Sequence, residues 1–215
     1  MKIVAMADMH TLYEGLDVPD GDVLIVAGDI DLSYLKDAVR FNKWLGTLPH
    51  KCKIVVGGNH DAWLANSSMH LKRSVFTNAN YLENSGLRYN DVYFWGSPMS
   101  PRFGHWDFMA DRGDEISKYW DSIPDTVDVL ITHGPPYKIL DTAPKGLWFE
   151  NVGCYDLGRV IKKLQPRLHI FGHVHYAHGY EHDVGTDFYN VSIVGENYQI
   201  EHQPTEIVIN KGDRI

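Results

Sequence analysis

The stretch Ile54-Val55-Val56-Gly57-Gly58-Asn59-His60-Asp61 decides the fold. Its first half is a short β-branched apolar run, and its second half gathers turn-forming residues with side chains that bind metals or protons. A short apolar run bounded by turn residues reads as a strand buried in a sheet. The same pattern recurs along the chain. Ile3–Ala7 leads to Asp8 and His10, and Val23–Ala27 to Gly28-Asp29. Val129–Thr132 leads to His133-Gly134, and Leu168–Phe171 to Gly172-His173 and His175.

Helical spacing fills some of the intervals. Leu35, Ala38, Val39, Leu45 and Leu48 suit one helix ending before Pro49; Ile116, Tyr119, Trp120 and Ile123 suit a second behind Asp114. A third follows from Leu157, Val160, Ile161 and Leu164, with Pro166 beyond it. Strands alternating with helices imply an α/β core. Strand follows strand from about Tyr81 to Trp95 and from Tyr176 to Ile209, so a substantial antiparallel part is expected. Ligands of open α/β sheets bind beyond the carboxyl ends of the strands, where all five polar clusters fall.

Composition narrows the function. The chain has 215 residues, 44% hydrophobic and 22% charged, and fits a single domain over residues 1–215. Its net charge is −8, and its basic residues cluster no more densely than pairs such as Lys72-Arg73. That disfavours extended nucleic acid and polybasic membrane binding. Cys52 and Cys154 are too few for a disulfide framework and read as buried thiols. No apolar run reaches the length of a membrane span, and the N-terminal strand meets Asp8 too early for a signal peptide, so a cytoplasmic location is expected. The 12 histidines are the conspicuous feature. Asp8, His10, Asp29, Asn59, His60, Asp61, His133, His173 and His175 form an oxygen and imidazole set suited to zinc, manganese or iron. Asp8 and His10, like His173 and His175, are two apart and share a side of an extended backbone.

In this order, Asp8-x-His10, Gly28-Asp29, Gly58-Asn59-His60-Asp61, Thr132-His133-Gly134-Pro135-Pro136 and Gly172-His173-x-His175 resemble the calcineurin-like metallophosphoesterase signature. Val152-Gly153-Cys154, Gln165–His169 and Asn197-Tyr198-Gln199 further resemble its metallophosphoesterase-domain-containing branch, a neighbour of the class III cyclic-nucleotide phosphodiesterases. The resemblance implies an α/β fold: a two-sheet β-sandwich flanked by helices in four αββα layers. It also implies two divalent transition-metal ions, with Mn2+ the first candidate and Fe or Zn the others. Asp8, His10, Asp29 and His175 would hold one ion; Asp29, Asn59, His133 and His173 would hold the second, with Asp29 shared. Only Asp8 and Asp29 in that set are charged, so two dications leave a net charge of about +2, or +1 with a bridging hydroxide. The implied reaction is attack of that hydroxide on phosphorus. His60 matches the family's non-ligand histidine and is expected to be general acid or to stabilise the departing oxygen, with Asp61 orienting it or supporting the ligands.

The expected substrate is a small phosphodiester, cyclic nucleotides first. Phosphoprotein phosphatases of the superfamily carry Asp-Arg-Gly shortly after Gly-Asp, whereas this chain reads Gly28-Asp29-Ile30-Asp31-Leu32-Ser33. Phosphomonoesterase or nuclease activity on the same metals is the alternative enzyme reading, and a non-catalytic docking scaffold is the alternative of another class. The connections at about 96–112 and 135–153 carry aromatics; there Trp106 is a candidate for stacking a base, and Arg102 and His105 for touching phosphate. His50, His70, His169, His178, His182 and His202 fit no motif and are expected at the surface or in packing.

Overall fold

The computed structural model describes residues 1–210; residues 211–215 of the expected domain lie outside the described residues. The strands are β1 (Lys2–Met6), β2 (Val23–Ala27), β3 (Cys52–Val56), β4 (Asn80–Leu82), β5 (Ser85–Tyr89), β6 (Val92–Ser97), β7 (Ser100–Pro101) and β8 (Met109–Ala110). They continue as β9 (Val129–Thr132), β10 (Thr142–Lys145), β11 (Trp148–Asn151), β12 (Leu168–Phe171), β13 (Gly179–Asp183), β14 (Thr186–Asn190) and β15 (Thr205–Val208). The helices are α1 (Leu35–Leu45), α2 (Ala62–Asn66), α3 (Met69–Val75), α4 (Asp114–Trp120) and α5 (Tyr155–Leu164).

Two sheets form the sandwich, ordered β15-β1-β2-β3-β4 and β13-β14-β12-β9-β6-β5. The run β1 to β4 is parallel, as are β6, β9, β12 and β14, while β15, β13 and β5 add antiparallel edges. The alternation of strand side chains explains the layering. Ile3, Ala5, Val23, Ile25, Ile54 and Val56 face the second sheet and meet Phe94, Val129, Ile131 and Ile170 in the inner core. Their neighbours Val4, Met6, Leu24, Val26 and Val55 face outward onto Ala38, Phe41 and Leu45 of α1. Leu130 and Phe171 do the same in the second sheet, against Ile116 and Trp120 of α4 and Leu157 and Ile161 of α5. A strand covered on both sides must be apolar at every position, which is why these runs show no polar alternation. Each such side chain contributes about 1.5–3 kcal/mol by leaving water.

This is the expected αββα arrangement, with differences of detail. α1 stops at Leu45, short of Leu48, and α4 ends at Trp120 rather than reaching Ile123. α2 and α3 add short helices after Asp61. The connection 135–153 contains a hairpin, β10 paired with β11. Its base is tied by buried Asp141, whose carboxylate accepts from Lys138 N, Gly153 N and Asn151 Nδ2. Cys52 and Cys154 are buried free thiols, as expected. No helix among the described residues is long and apolar enough to cross a membrane.

The two sheets meet at the carboxyl ends of their central strands. Ala7 N donates to Val191 O at 2.9 Å, and Ala7 bridges Ser192. Everything described next sits at that seam.

Candidate metal centre

Four of the seven ligand candidates, and Asp31 beside them, sit on left-handed backbone just past a strand end. Asp8, His10, Asp29, Asp31 and His173 all take positive φ, between 39° and 71°. Non-glycine residues in this region cost on the order of 1–3 kcal/mol each and persist only where their surroundings hold them. The glycines among them have a steric reason. Gly28 has φ of 100°, and a Cβ there would run into His133 Nδ1; a Cβ on Gly58 would run into Asp29 Oδ1.

Two groups of donors hold expected ligands, and a third, His10 with Asp31 and His60, shares His10 with the first. Asp8, His10 and His175 each offer an atom within 4.8 Å of the others, and Asp29, His133 and His173 do likewise. Asp8, Asp29, Asn59 and His133 are buried. In the first group, Asp8 Oδ2 accepts from His173 N at 2.8 Å and Oδ1 lies 3.9 Å from His175 Nε2. His10 Nδ1 lies 3.2 Å from Asp31 Oδ2. In the second group, His133 Nδ1 lies 3.0 Å from the Ala27 carbonyl, which can only accept, so Nδ1 keeps its proton and Nε2 is the nitrogen available to an ion once its own proton has left. That Nε2 lies 2.9 Å from Asn59 Oδ1, 3.2 Å from His173 Nδ1 and 3.3 Å from Asp29 Oδ2. Asp29 Oδ1 accepts from His60 N at 2.8 Å.

The electrostatics are those of a desolvated charge cluster. Burial raises Asp8 above the usual carboxylate range. Burial acts the same way on Asp29, but the charge of His133 and the hydrogen bond to it win and hold Asp29 well below its ordinary value. Burial opposes protonation of His133, yet the Asp29 charge and hydrogen bond lift it to about 9. His173 is pushed down to about 3 by burial and then by the charge of His133. Burial likewise opposes protonation of His10, but its bond to Asp31 and the charges of Asp29, Asp8 and Asp31 together outweigh that and raise it.

A cation fits this donor set. Asp8 Oδ1 and His10 Nε2 are buried without a hydrogen-bond partner, a costly state that a cation would relieve. Around His133 Nε2, Asn59 Oδ1, Asp29 Oδ2 and His173 Nδ1 converge within 2.9–3.3 Å, a set of atoms able to donate electron pairs to one cation. Neutral imidazole and carboxylate donors of this kind suit divalent transition metals.

His60 and Asp61 sit beside the donors in different roles. The His60 ring is part-exposed, its Nδ1 3.5 Å from Asp31 Oδ1. Asp61 is buried and accepts from Gly58 N at 2.8 Å, Leu32 N at 3.0 Å and Ile30 N at 3.1 Å. It therefore ties the Asp29 loop to the Asn59-His60 loop, and the residue facing the His60 ring is Asp31. Burial and then the Asp29 charge push Asp61 up to about 7. Asp31 was legible in principle, since it stands two residues after Asp29 just as His10 stands two after Asp8.

The two groups open onto one cavity of about 940 Å3, lined near the donors by Asp29, Asn59, His60, His173 and His175. Arg102, Phe103 and Trp106 from the connection 96–112 also line it. Trp106 packs against His60 with ring centroids 4.3 Å apart, and Phe103 against His173 at 5.1 Å. The Arg102 guanidinium is already engaged, with Nε 2.6 Å from Asp111 Oδ1 and Nη2 3.3 Å from the Met109 carbonyl. His105 is exposed and is not among the lining residues, because the tight turn at Gly104 carries it away from the wall that Phe103 and Trp106 form. Trp148 and Phe149, on β11, are exposed outside the lining. His169, unmatched by any motif, is buried; its Nε2 lies 2.8 Å from Thr132 Oγ1, which donates to Gly134 O at 2.7 Å and so fixes the turn that carries His133. Burial holds His169 neutral, at about 3.

The family model for calcineurin-like phosphoesterases matches residues 1–177, the span holding every residue of both donor groups. The chain belongs to that family. Within it, the chain is 37% identical over 230 residues to Metallophosphoesterase domain-containing protein 1 of Homo sapiens, covering 96% of this chain and 70% of that protein. It is 33% identical to a UPF0046 protein of Caenorhabditis elegans, covering 98% and 76%. Among solved structures, Phosphopantetheinyl Hydrolase from Mycobacterium tuberculosis shares the fold, with a TM-score of 0.60 at 16% identity over 92% of this chain and 90% of that one. Membership of the calcineurin-like phosphoesterases makes this chain a hydrolase of the metal-dependent, phosphoester-cleaving kind.

Proposed function

We propose that the protein is a dinuclear-metal phosphodiesterase acting on small phosphodiesters, with cyclic nucleotides the first candidates. The observation that carries this reading is the opening of both donor groups onto one 940 Å3 cavity, a size suited to a small organic ligand. Asp8, His10 and His175 would hold one ion and Asn59, His133 and His173 the other, with Asp29 beside the second group as the carboxylate the two could share. Mn2+ is the first ion to test, with iron and zinc suited to the same donors. Divalent ions bound there supply an acidified water as nucleophile and positive charge for the phosphoryl oxygens.

The remaining steps belong to the chain. His60, a part-exposed imidazole on the cavity wall, delivers a proton to the departing oxygen. Asp31 Oδ1 faces its Nδ1 at 3.5 Å, leaving Nε2 to donate. Trp106 covers the ring and limits its rotation. Asp61 holds the two loops that carry Asp29 and His60 in register.

The charge inventory of the cavity favours a diester. Arg102 is committed to Asp111, and Arg112 donates to the carbonyls of Gly153 and Val152, both at 2.7 Å. Glu150 and Glu196 add carboxylates to the lining. No uncommitted arginine among the described lining residues awaits the second charge of a monoester dianion. The test is kcat/KM of Mn2+-loaded protein on bis-nitrophenyl phosphate and nitrophenyl phosphate, followed by cyclic nucleotides. The diester should be the better substrate. A monoester preference of tenfold or more, about 1.4 kcal/mol in the transition state, would overturn the diester reading.

A further inference from the structure

Asn197-Tyr198-Gln199 has no part in the chemistry above, yet its loop is built with care. Residues 193–202 double back after the second sheet. Tyr198 N donates to Gly195 O and Gly195 N to Gln199 O, both at 3.0 Å; Glu201 N and His202 N donate to Ile193 O at 2.9 and 3.0 Å. Val194 and Ile200 pair across the loop, and at its base His202 stacks on His178 with centroids 3.8 Å apart and planes within 5°. Tyr198 sits at the turn with φ of 55°, a conformation that a tyrosine keeps only when its surroundings hold it there.

The loop places the Tyr198 ring against two candidate ligands of one ion. Its centroid lies 4.7 Å from that of His10 and 5.2 Å from that of His175, edge-to-face in both cases. These imidazoles arrive from different sheets, His10 after β1 and His175 after β12. Metal-binding histidines are ordinarily oriented by a hydrogen bond from the second ring nitrogen. His10 has one, to Asp31. His175 has no protein hydrogen bond among the described residues; its orientation rests on Asp8 at 3.9 Å and on its ring contacts with His10 and Tyr198.

We propose that Tyr198 is a positioning residue for the ion held by Asp8, His10 and His175, and that its ring, rather than its hydroxyl, fixes the two imidazoles. This rests on the two-metal reading above. The experiment is a calorimetric titration of the metal-stripped full chain with Mn2+, comparing wild type, Tyr198→Ala and Tyr198→Phe. Wild type should show two binding steps. Tyr198→Ala should weaken one step by about 10–100-fold, the usual effect of removing an orienting partner, and leave the other within roughly threefold. Tyr198→Phe should keep both steps within roughly threefold. Should Tyr198→Ala not fold, Tyr198→Leu replaces it with the same expectation. Equal weakening of both steps, or no weakening, would overturn the inference, as would a Phe variant that behaves like Ala. Failure of wild type to take up a second ion would sink the two-metal reading and this inference with it.

Discussion

Replacing Asp61 tests the architecture of the site without touching a proposed ligand. Its carboxylate takes three backbone N–H groups, from Gly58, Leu32 and Ile30, in a fully buried setting. Above about pH 7, where Asp61 is mostly ionised, a hydrogen bond to a charged group contributes about 1.5–3 kcal/mol, and leaving its donor unsatisfied costs a comparable amount. With partial relaxation and some relief of repulsion with Asp29, Asp61→Ala should destabilise by roughly 3–6 kcal/mol. That is a large part of the ~5–15 kcal/mol typical of a folded domain. At about 2–4 °C per kcal/mol for a chain of this size, the melting temperature should fall by roughly 6–24 °C. Asp61→Asn keeps one oxygen for Ile30 and Leu32 but turns an N–H toward Gly58 N, so a loss of about 1–3 kcal/mol is expected. Thermal and urea unfolding of metal-stripped protein reads both values free of stabilisation by bound ions. An Asp61→Ala protein within about 1 kcal/mol of wild type would refute the claim that this carboxylate holds the two loops together.

His60→Ala should keep both ions and slow turnover of diesters with poor leaving groups by about 10²–10⁴-fold, with a smaller loss for nitrophenyl esters; equal losses for both, in steady-state assays, would remove the general-acid role. Trp106→Ala should lower kcat more than it raises KM for those same poor leaving groups, because the ring packs on His60; a pure KM effect would make it a substrate contact instead. Metal uptake at pH 7.5 should release protons, about one of them from His133, which is lifted to about 9 and must lose the Nε2 proton to bind an ion; the raised His10 and Asp8 add to the release. Affinity should therefore rise with pH up to about 9, and calorimetry in buffers of different ionisation enthalpy measures the release; a buffer-independent enthalpy would contradict it.

β1, β2, β3, β9 and β12 and the polar residues at their ends were readable because burial on both faces forces apolar runs, and Asp, Asn or His after each run breaks the pattern sharply; β7, β8, β10 and β11 lie inside segments read as connections. α4 and α5 were readable from their spacing. α2 and α3 were not: α2 has five residues, and α3, Met69–Val75, buries only Lys72, so neither shows an apolar period. Pairing order was equally hidden: His133 reaches the Ala27 carbonyl across 106 residues, a relation that no local pattern encodes. The same limit applies to Asp61 and Asp31, whose partners become visible only when the loops after β2 and β3 lie side by side. The aromatics were found but their neighbours were not, since Phe103, Trp106 and Tyr198 pack on imidazoles contributed by other strands.

The central claim is that two ions at the seam between the sheets make this chain a phosphodiesterase. Its most direct test is hydrolysis of bis-nitrophenyl phosphate by exhaustively stripped protein during stepwise addition of Mn2+, with metal content measured at each point. The account predicts negligible turnover without metal and a rise that levels off at two ions per chain. Full turnover in stripped protein, or none with two ions bound, would contradict it.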